Sequence, residues 1–385
     1  MQICDIKKCT GCFACMNICR KNAIEVTQSE YGELIPKVNE EKCVACGMCQ
    51  KICPSNNEQV FSGQTRAYAA WSKNEDDVAL SSSGGVASVF SRYVIKKGGA
   101  VFGAESSDKA TKHICISTED ELCKLRGSKY VQSEIGFTYR DAEKQLKDGK
   151  LVLFTGTPCQ IAGLKAYLGK DYGNLITVDL ICHGTPSHTY LKEHLDAKCK
   201  SWDGYSFRGK YDFVMVAYLK EQPVFIKNRF RDEYFMAFLN GLSYRESCYE
   251  CKYARPERVS DITIGDFWGL DRKSLKNPYK GRISLILPNT QKGQEFIKET
   301  EALFNIEERK VKEAQNPQQG NLLQPSAKPK DREKFLENYK KMGFDRAVRK
   351  TNLWKKNVKI QRRLQIRSFV GKGLRLVKKI GSLKK

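Results

Sequence analysis

The sequence CTGCFACMNIC at residues 9–19 is followed by CVACGMCQKIC at residues 43–53, and these two segments decide the fold of the N-terminal region. Each segment places its four cysteines with the spacing C-x2-C-x2-C-x3-C. A tight loop with this spacing can wrap three thiolates around one iron–sulfur cube, and the short helix that follows can direct the fourth thiolate to a neighbouring cube. The pair therefore predicts two [4Fe–4S] clusters that exchange their fourth ligands.

The cysteine spacing resembles that of two-cluster bacterial ferredoxins. In the ferredoxin arrangement one cluster is bound by Cys9, Cys12, Cys15 and Cys53, and the other is bound by Cys43, Cys46, Cys49 and Cys19. Zinc sites use pairs of C-x2-C instead, and a disulfide framework requires an oxidising compartment. Residues 1–8 lack the features of a signal peptide, which argues against that compartment. The first segment ends in Cys19-Arg20 without the usual proline, a departure that removes no ligand.

Length and composition set the broad class of the protein. The chain has 385 residues, which is enough for a larger domain after the ferredoxin-like region. Its sixteen cysteines favour a reducing cytoplasm, and no apolar run approaches the ~18 residues of a membrane-spanning helix. We therefore expect a cytoplasmic protein. The formal net charge of +23 is mostly local, because residues 346–385 contain fifteen Lys or Arg and no Asp or Glu.

Two later segments repeat one pattern, in which a buried strand leads through Gly-Thr-Pro into a helix. The strand at residues 151–155 leads into Gly156, Thr157, Pro158 and Cys159, and the strand at residues 175–181 leads into Cys182-His183-Gly184-Thr185-Pro186. Successive units of this kind predict parallel neighbouring strands whose carboxyl ends share one edge, where ligands bind. Cys159 and Cys182 should then lie close together, and the helix N-terminus should favour a thiolate at Cys159.

A further pair of cysteines could complete a third metal site. Cys248 and Cys251 form a C-x2-C pair, and with Cys159 and Cys182 they make a candidate third [4Fe–4S] site. The alternative is that Cys159 and Cys182 are ordinary buried cysteines. Four more cysteines stand singly and are interpreted as structural or incidental: Cys4, Cys115, Cys123 and Cys199.

The loop Ser83-Gly84-Gly85 precedes an amphipathic helix predicted at residues 86–97. Serine and glycine at a helix start can present free backbone N–H groups to an anion, although a plain serine N-cap is an equal alternative. The sequence contains no G-x-G-x-x-G after a strand, no Walker A motif and no H-E-x-x-H. It therefore gives no case for a Rossmann site, a nucleotide triphosphatase or a zinc hydrolase.

Taken together, these motifs resemble the beta subunit of coenzyme F420-dependent hydrogenases and dehydrogenases, in the form with a ferredoxin domain in front. The resemblance covers residues 1–344 and rests on Ser83–Gly85, residues 127–133, 156–160 and 182–184, Cys248 with Cys251, and residues 265–269. It implies an α+β fold: a two-cluster ferredoxin domain at 1–60, the N-terminal region of the beta subunit at 61–135, and its C-terminal region with flavin and third cluster in a mixed-sheet α/β FAD-binding domain at 136–320. The sequence itself predicts a strongly basic helical tail at 321–385, whose part from about Asn352 onward matches nothing in the family.

The resemblance also implies cofactors and partners, because members of this family are iron–sulfur flavoproteins that bind FAD. FAD would exchange a hydride with an organic substrate or a deazaflavin-like coenzyme, and electrons would pass through three clusters to or from a redox protein partner or sister subunit. The third cluster would be held by Cys159, Cys182, Cys248 and Cys251. The FAD would be lined by Ser83, Gly84, Gly85, Lys129, Gly156, Thr157 and Pro158.

Two other function classes remain open on the sequence alone. One is an electron-transfer adaptor subunit without an organic substrate of its own. The genes of some relatives lie beside genes for surface polysaccharides, which would link such an adaptor to polysaccharide biosynthesis. The other is a polyanion-binding protein with structural clusters, although nucleic acid is the least favoured partner.

The C-terminal tail has a pattern of its own. From Ile366 onward, apolar residues fall on one arc of a helical wheel and Lys or Arg on the opposite arc. A basic amphipathic helix of this kind lies in the interface of an anionic membrane, so we expect peripheral association with the inner face of the membrane. A solvated or partner-docked basic helix is the alternative.

Overall fold

The computed structural model of the chain describes residues 1–107, 110–209 and 213–363. Its N-terminal region contains two short helices and a hairpin, in the order α1 (Ala14–Ile18), β1 (Ile24–Gln28), β2 (Leu34–Val38) and α2 (Met48–Lys51). The strands β1 and β2 pair antiparallel, with Val26 opposite Pro36. This hairpin spans the stretch between the two cysteine segments.

The two cysteine loops share one unusual backbone conformation. The second residue after the first cysteine has a positive φ in both loops, at Gly11 (66°) and Ala45 (51°). The fourth residue does too, at Phe13 (53°) and Gly47 (71°). Positive φ is uncommon outside glycine, so its repetition at Phe13 and Ala45 reflects the loop and not the residue type. Equal cysteine spacing thus produces equal loops.

The larger domain is built around a mixed sheet. The strands that follow the N-terminal hairpin are β3 (Ala67–Ser72), β4 (Ala100–Ser106), β5 (Thr111–Ile116), β6 (Val152–Gly156), β7 (Leu175–Leu180), β8 (Gly204–Arg208), β9 (Phe213–Leu219), β10 (Gln222–Asn228), β11 (Ile262–Asp266), β12 (Ser284–Pro288) and β13 (Phe304–Arg309). Within the described residues the large sheet has eight strands, in the order β13-β3-β12-β11-β7-β6-β4-β5.

The helices of this domain cover the sheet and build a second layer. They are α3 (Glu75–Ala79), α4 (Val86–Lys96), α5 (Leu122–Leu125), α6 (Thr138–Lys147), α7 (Pro158–Leu168), α8 (His188–Asp196), α9 (Glu233–Leu239), α10 (Gln291–Thr300), α11 (Val311–Ala314), α12 (Gly320–Leu323), α13 (Arg332–Met342) and α14 (Phe344–Arg349). Residues 352–363 are also helical.

The centre of the large sheet is parallel. β4, β6, β7 and β11 run in the same direction, and β6 and β7 are direct neighbours, as the repeated strand–helix pattern predicts. Leu153 of β6 faces Ile176 of β7, and both strands are rich in apolar residues because helices cover both faces. The carboxyl ends of these four strands therefore lie along one edge.

A second core lies beside this sheet. The antiparallel sheet β10-β9-β8 packs with α8, α9, α13 and α14 around aromatic residues that include Tyr190, Phe235 and Phe344. Residues 332–349, at the start of the predicted tail segment 321–385, thus contribute to a core. The amphipathic helix expected from Ile366 onward lies outside the described residues. In the described part of the chain, no helix is long and apolar enough to cross a membrane.

The ferredoxin-like region is docked on the larger domain. Phe13 and Ala14 share a buried core with Tyr139 of α6 and Leu164 of α7. Arg140 of α6 donates hydrogen bonds to carbonyls at the end of α1, at distances of 2.7 to 3.1 Å: those of Met16, Asn17 and Cys19. The stretch 55–65 also contacts the larger domain, with Gln64 Nε2 donating to the Pro256 carbonyl at 2.6 Å.

Candidate metal centres

The first predicted cysteine set lines one cavity. Cys9, Cys12 and Cys15 of the first loop meet Cys53 of the second segment there, and all four are buried. Phe13 and Pro54 close the apolar part of the lining. The structure thus brings together the four residues assigned to one cluster, in the exchanged arrangement that the spacing predicts.

The second cysteine set lies nearer the surface. Burial raises the pKa of Cys49, and the charges of Cys19 and Cys43 raise it further, so both of these cysteines lie within electrostatic reach of Cys49. Cys46 is exposed, as are Val44 (61%) and Met48 (41%) of the same loop. A cluster held here would therefore be accessible to another protein, whereas one at the first set would not.

Cys159 of the third predicted set is held by a strong helix start. Thr157 is the N-cap of α7, Pro158 occupies the first helical turn, and Gln160 completes a capping box by accepting from the Thr157 N–H at 2.9 Å. The Thr157 hydroxyl lies 3.2 Å from the Cys159 Sγ. The Gly-Thr-Pro motif therefore fixes where the Cys159 thiol points.

The other three cysteines of the set converge on Cys159. Cys182 follows β7, Cys248 ends a 3-10 turn at Glu246–Cys248, and Cys251 comes three residues later. Burial, followed by the charges of Cys251, Cys182 and Cys248, raises the pKa of Cys159 well above its usual value. Cys159 is the second residue of α7, and the preference of its thiol for the thiolate form stays a prediction. The four converging sulfurs suit a cationic iron cluster, which supplies the missing positive charge.

The third set lies next to the first. Gly163 is one turn (~5.4 Å) after Cys159 on α7, and a Cβ built on Gly163 would lie 2.9 Å from the Cys12 Cβ. Tyr253 lies between the two sets, since thiols of both, including Cys159 and Cys12, raise its pKa in addition to burial. Its hydroxyl is buried and has no hydrogen-bond partner within the described residues. A sulfur atom of a cluster at either set would accept a hydrogen bond from this hydroxyl. The position of Tyr253 therefore fits an iron–sulfur cluster at each of the two sets.

Cys4 also belongs to the first site, although the sequence interpretation treats it as structural or incidental. It lines the same cavity as Cys9 and Cys53. Hydrogen bonds from Cys4 lower the pKa of both Cys9 and Cys53 to about 6. Cys4 stands outside the repeated spacing, so no sequence signal connects it with the cluster.

The predicted flavin loop packs into the sheet. The Gly84 N–H donates to the Ser284 hydroxyl at 2.9 Å, and the Ser83 hydroxyl donates to the Ile283 carbonyl at 3.2 Å. A Cβ on Gly84 would collide with the Ala70 carbonyl, so glycine is needed there for packing between β3 and β12. The expectation of a free N–H at Gly84 is therefore wrong, and its role at the flavin stays a prediction.

Lys129, another predicted flavin residue, has its ammonium group engaged by the protein. It donates to three carbonyls at the end of α5, those of Lys124 (3.4 Å), Leu125 (3.0 Å) and Arg126 (2.7 Å). Burial lowers its pKa to about 7. Lys129 thus supports the loop that follows α5. Its contact with a flavin stays a prediction.

A polar group that the sequence interpretation missed lies at the carboxyl end of β11, and we call it the arginine cluster. The Arg208 guanidinium pairs with Asp266 and donates to the Tyr130 hydroxyl at 3.0 Å. Arg282 donates to the Ser81 carbonyl at 2.7 Å. The arginine cluster consists of Ser81, Ser82, Ser128, Tyr130, Arg208, Asp266 and Arg282, and the Ser128 N–H donates to the Ser82 hydroxyl at 2.7 Å.

The arginine cluster borders the third cysteine set through His183. Burial lowers the pKa of His183, with Asp266 and Arg208 acting in opposite directions, so His183 is within electrostatic reach of both. His183 directly follows Cys182 in the chain. The half-exposed Trp268 stacks on Phe213 next to Arg208, whose guanidinium lies 3.7 Å from the Phe213 ring centre. The seven members come from separate segments, so spacing could not reveal them.

Another group of possible metal ligands has a simpler explanation. Among the described residues, His194, Glu233 and Asp345 present ligand atoms within 4.8 Å of one another. The Lys198 ammonium already lies 2.6 Å from Asp345 and 3.3 Å from Glu233. The Lys198 ammonium is half-buried and supplies the positive charge that a metal would bring, so these ion pairs serve to join α8, α9 and α14.

Comparison with known proteins supports both halves of this arrangement. Residues 8–57 match the model of the 4Fe-4S dicluster domain, and residues 149–314 match that of the C terminus of the coenzyme F420 hydrogenase/dehydrogenase beta subunit. A chain in a xenon-derivatised structure of the F420-reducing [NiFe] hydrogenase complex from Methanosarcina barkeri is 18% identical with a TM-score of 0.47, and the match covers 79% of this chain and 94% of that one. No curated protein sequence matches the chain.

Proposed function

We propose that the chain is an iron–sulfur flavoprotein oxidoreductase, because residues 8–57 match the 4Fe-4S dicluster domain and residues 149–314 match the C terminus of the coenzyme F420 hydrogenase/dehydrogenase beta subunit. FAD would supply hydride exchange with an organic substrate or a deazaflavin-like coenzyme. A hydride brings two electrons and a proton, and the proton would leave to solvent. The two electrons would then pass one at a time to the clusters, each of which carries a single electron. The observation that carries the proposal is the contact between α7 and the first cysteine loop.

That contact supports a continuous route between the two domains. Cys159 and Gly163 lie one turn apart on α7, and Gly163 touches Cys12. Tyr139 and Tyr253 are buried between the first and third cysteine sets and keep water out of the gap. Electrons passing between clusters at these two sets would therefore cross a short, dry segment of protein.

The arginine cluster suits an anionic ligand beside the third cysteine set. Arg208 is paired with Asp266, while Arg282 makes no ion pair with any of the residues described. Burial and the charge of Arg208 lower the pKa of Arg282, and the opposing charges of Asp266 and Tyr279 offset this only in part. A phosphate of FAD or an anionic substrate would provide the missing charge, and Trp268 offers an aromatic face for a planar ring.

The second cysteine set is the expected contact with a redox protein partner. Its loop exposes Cys46 together with Val44 and Met48, while the first set is buried and the third set is half-buried. A partner that covers this loop would bring its own redox centre close to the cluster. This order of sites makes the larger domain the place of hydride exchange and the ferredoxin-like domain the place of electron exit or entry.

A hydride-donor screen on the anaerobically purified chain tests this function. Deazaflavin coenzyme, NADH and NADPH would be mixed with the protein, and flavin and cluster absorbance followed separately. With an effective donor, wild type should bleach both signals. Cys159→Ala should still bleach the flavin but leave the N-terminal clusters oxidised, because its third site is incomplete.

The same experiment distinguishes the electron-transfer adaptor. An adaptor of that kind would contain no flavin and would respond to none of the hydride donors, although dithionite would still bleach its clusters. Reduction of the N-terminal clusters in Cys159→Ala at the wild-type rate would contradict the proposed route through the third set.

We also propose that an anionic membrane surface is a partner of the basic tail. The argument rests on the sequence alone, in which apolar and basic residues from Ile366 onward separate onto opposite arcs. A truncation after Arg363 keeps the described helix at 352–363, whose Asn357 is buried. The full chain should float with liposomes containing anionic lipid at low salt, and the truncated chain should stay at the bottom. Equal behaviour would remove the membrane proposal.

A further inference from the structure

Arg245 of the larger domain reaches into the ferredoxin-like domain. Its side chain is 2% exposed, and its Nε donates to the Cys9 carbonyl at 2.6 Å. Its Nη1 donates to the Leu34 carbonyl at 2.9 Å and to Gln132 Oε1 at 3.2 Å. The remaining nitrogen, Nη2, is buried and has no hydrogen-bond partner in the part of the chain that the structure describes. The guanidinium therefore lies beside the first cysteine set with one donor unused.

Arg245 also lacks a carboxylate counter-ion. Within the described ranges no Asp or Glu oxygen lies within ion-pair distance of it, and its polar contacts are carbonyl and amide oxygens. Burial raises the pKa of the nearby Glu33, which disfavours the ionised form of that side chain despite the opposing charge of Arg245. Burying a guanidinium without a counter-ion costs free energy of folding. A negative group must therefore compensate its charge when the protein holds its iron–sulfur clusters.

The first cysteine set supplies that negative charge. The Arg245 guanidinium is hydrogen-bonded to the backbone carbonyl of Cys9, a predicted ligand, so its positive charge lies beside this set. A cube with four thiolate ligands carries net negative charge, and reduction adds one more electron. A fixed buried cation at this distance stabilises the reduced form more than the oxidised form.

We propose that Arg245 is a positioning residue that sets the reduction potential of the cluster held by Cys9, Cys12, Cys15 and Cys53. It would raise that potential relative to the same cluster without a buried cation. The proposal deepens the proposed function and depends on it only for the presence of this cluster. Because the cation comes from the larger domain, the potential would also depend on docking of the two domains.

The test is a potentiometric titration of the full-length chain, followed by EPR and accompanied by iron analysis. Arg245→Gln removes the charge and should move the midpoint potential of one cluster to a more negative value. Arg245→Lys keeps a positive charge and should shift it less. Arg332→Gln is the matched control, since Arg332 is equally buried but donates to the Leu242 and Tyr244 carbonyls at 2.7 Å each. It should leave the midpoint of the cluster held by Cys9, Cys12, Cys15 and Cys53 unchanged.

A second variant covers the case in which Arg245→Gln loses the cluster. Gln132→Glu keeps Arg245 and places a carboxylate where the amide oxygen now lies 3.2 Å from Nη1, so it neutralises the cation in place. It too should give a more negative midpoint. Wild-type midpoints in Gln132→Glu with full iron would overturn the proposal, as would wild-type midpoints in an iron-replete Arg245→Gln. Absence of this cluster from the wild-type chain would instead contradict the proposed function.

Discussion

Gly163 of α7 lies directly against Cys12 of the first cysteine loop: a Cβ on Gly163 would be 2.9 Å from the Cys12 Cβ and 3.1 Å from its Sγ. The Tyr139 hydroxyl would lie at 2.9 Å as well. Any side chain at this position must therefore push α7 away from the ferredoxin-like domain. Glycine at position 163 lets the helix that carries Cys159 touch the loop that carries Cys12.

Gly163→Leu should separate the two domains at this point. We expect overpacking to cost about 1–3 kcal/mol of docking stability and to slow electron transfer from the larger domain to the N-terminal clusters. Stopped-flow reduction of the clusters measures the rate, and iron analysis shows whether they remain. Gly173→Ala is the matched control, because a Cβ there meets no atom within 4 Å. Unchanged rates in Gly163→Leu would show that the contact is not part of the route.

Cys4→Ala should keep the first cluster. Cys4 contacts Cys9 and Cys53 through hydrogen bonds, but the four residues expected as ligands are complete without it. Iron content should therefore stay at the wild-type level, whereas Cys9→Ala should lose about four iron atoms per chain. If Cys4→Ala loses as much iron as Cys9→Ala, then Cys4 is a ligand and the assignment from the repeated spacing is incorrect.

His194 should make the stability of the second core depend on pH. Burial lowers its pKa, but hydrogen bonds with Asp232 (2.9 Å) and Asp345 (2.6 Å) outweigh burial and raise it to about 9. A raised folded-state pKa gives stability that is complete below the unfolded value of 6.5 and is lost as pH rises through about 9. At ~1.4 kcal/mol per pH unit, the contribution is on the order of 3 kcal/mol.

Thermal unfolding from about pH 6 to about pH 10 checks this expectation. The Tm of wild type should fall across the upper part of the range. His194→Gln should be less stable at neutral pH and show a weaker fall, because it has no imidazolium to lose. The neighbouring ion pairs of Lys198 and Arg349 with Glu233 remain in both proteins. Parallel curves for the two proteins would mean that His194 does not control the transition.

Much of the framework could be predicted from local sequence. Cysteine spacing predicts the two equal loops and the exchange that brings Cys53 to the first set. Two apolar segments with Gly-Thr-Pro turns predict the parallel pair β6 and β7, and the structure shows them as neighbours. These features depend on residues close together in the chain, where spacing and periodicity carry the information.

The rest depends on residues that are far apart in the chain. Arg245 and Cys9 are separated by 236 positions, and neither lies in a pattern that indicates the other. Gly84 reads as an anion-binding glycine because its neighbours are serine and glycine, yet its N–H is taken by Ser284 of a strand two hundred positions away. Local composition cannot distinguish a glycine that approaches a ligand from one that approaches another strand.

Iron analysis of the anaerobically purified chain tests the central claim most directly. The account predicts about twelve iron atoms per chain, with three full cubes, and about eight in both Cys159→Ala and Cys251→Ala. The N-terminal clusters should remain in both variants, because none of their eight predicted ligands is changed. A wild-type value of about eight iron atoms that neither substitution alters would contradict the third cluster, and with it the proposed link between the two domains.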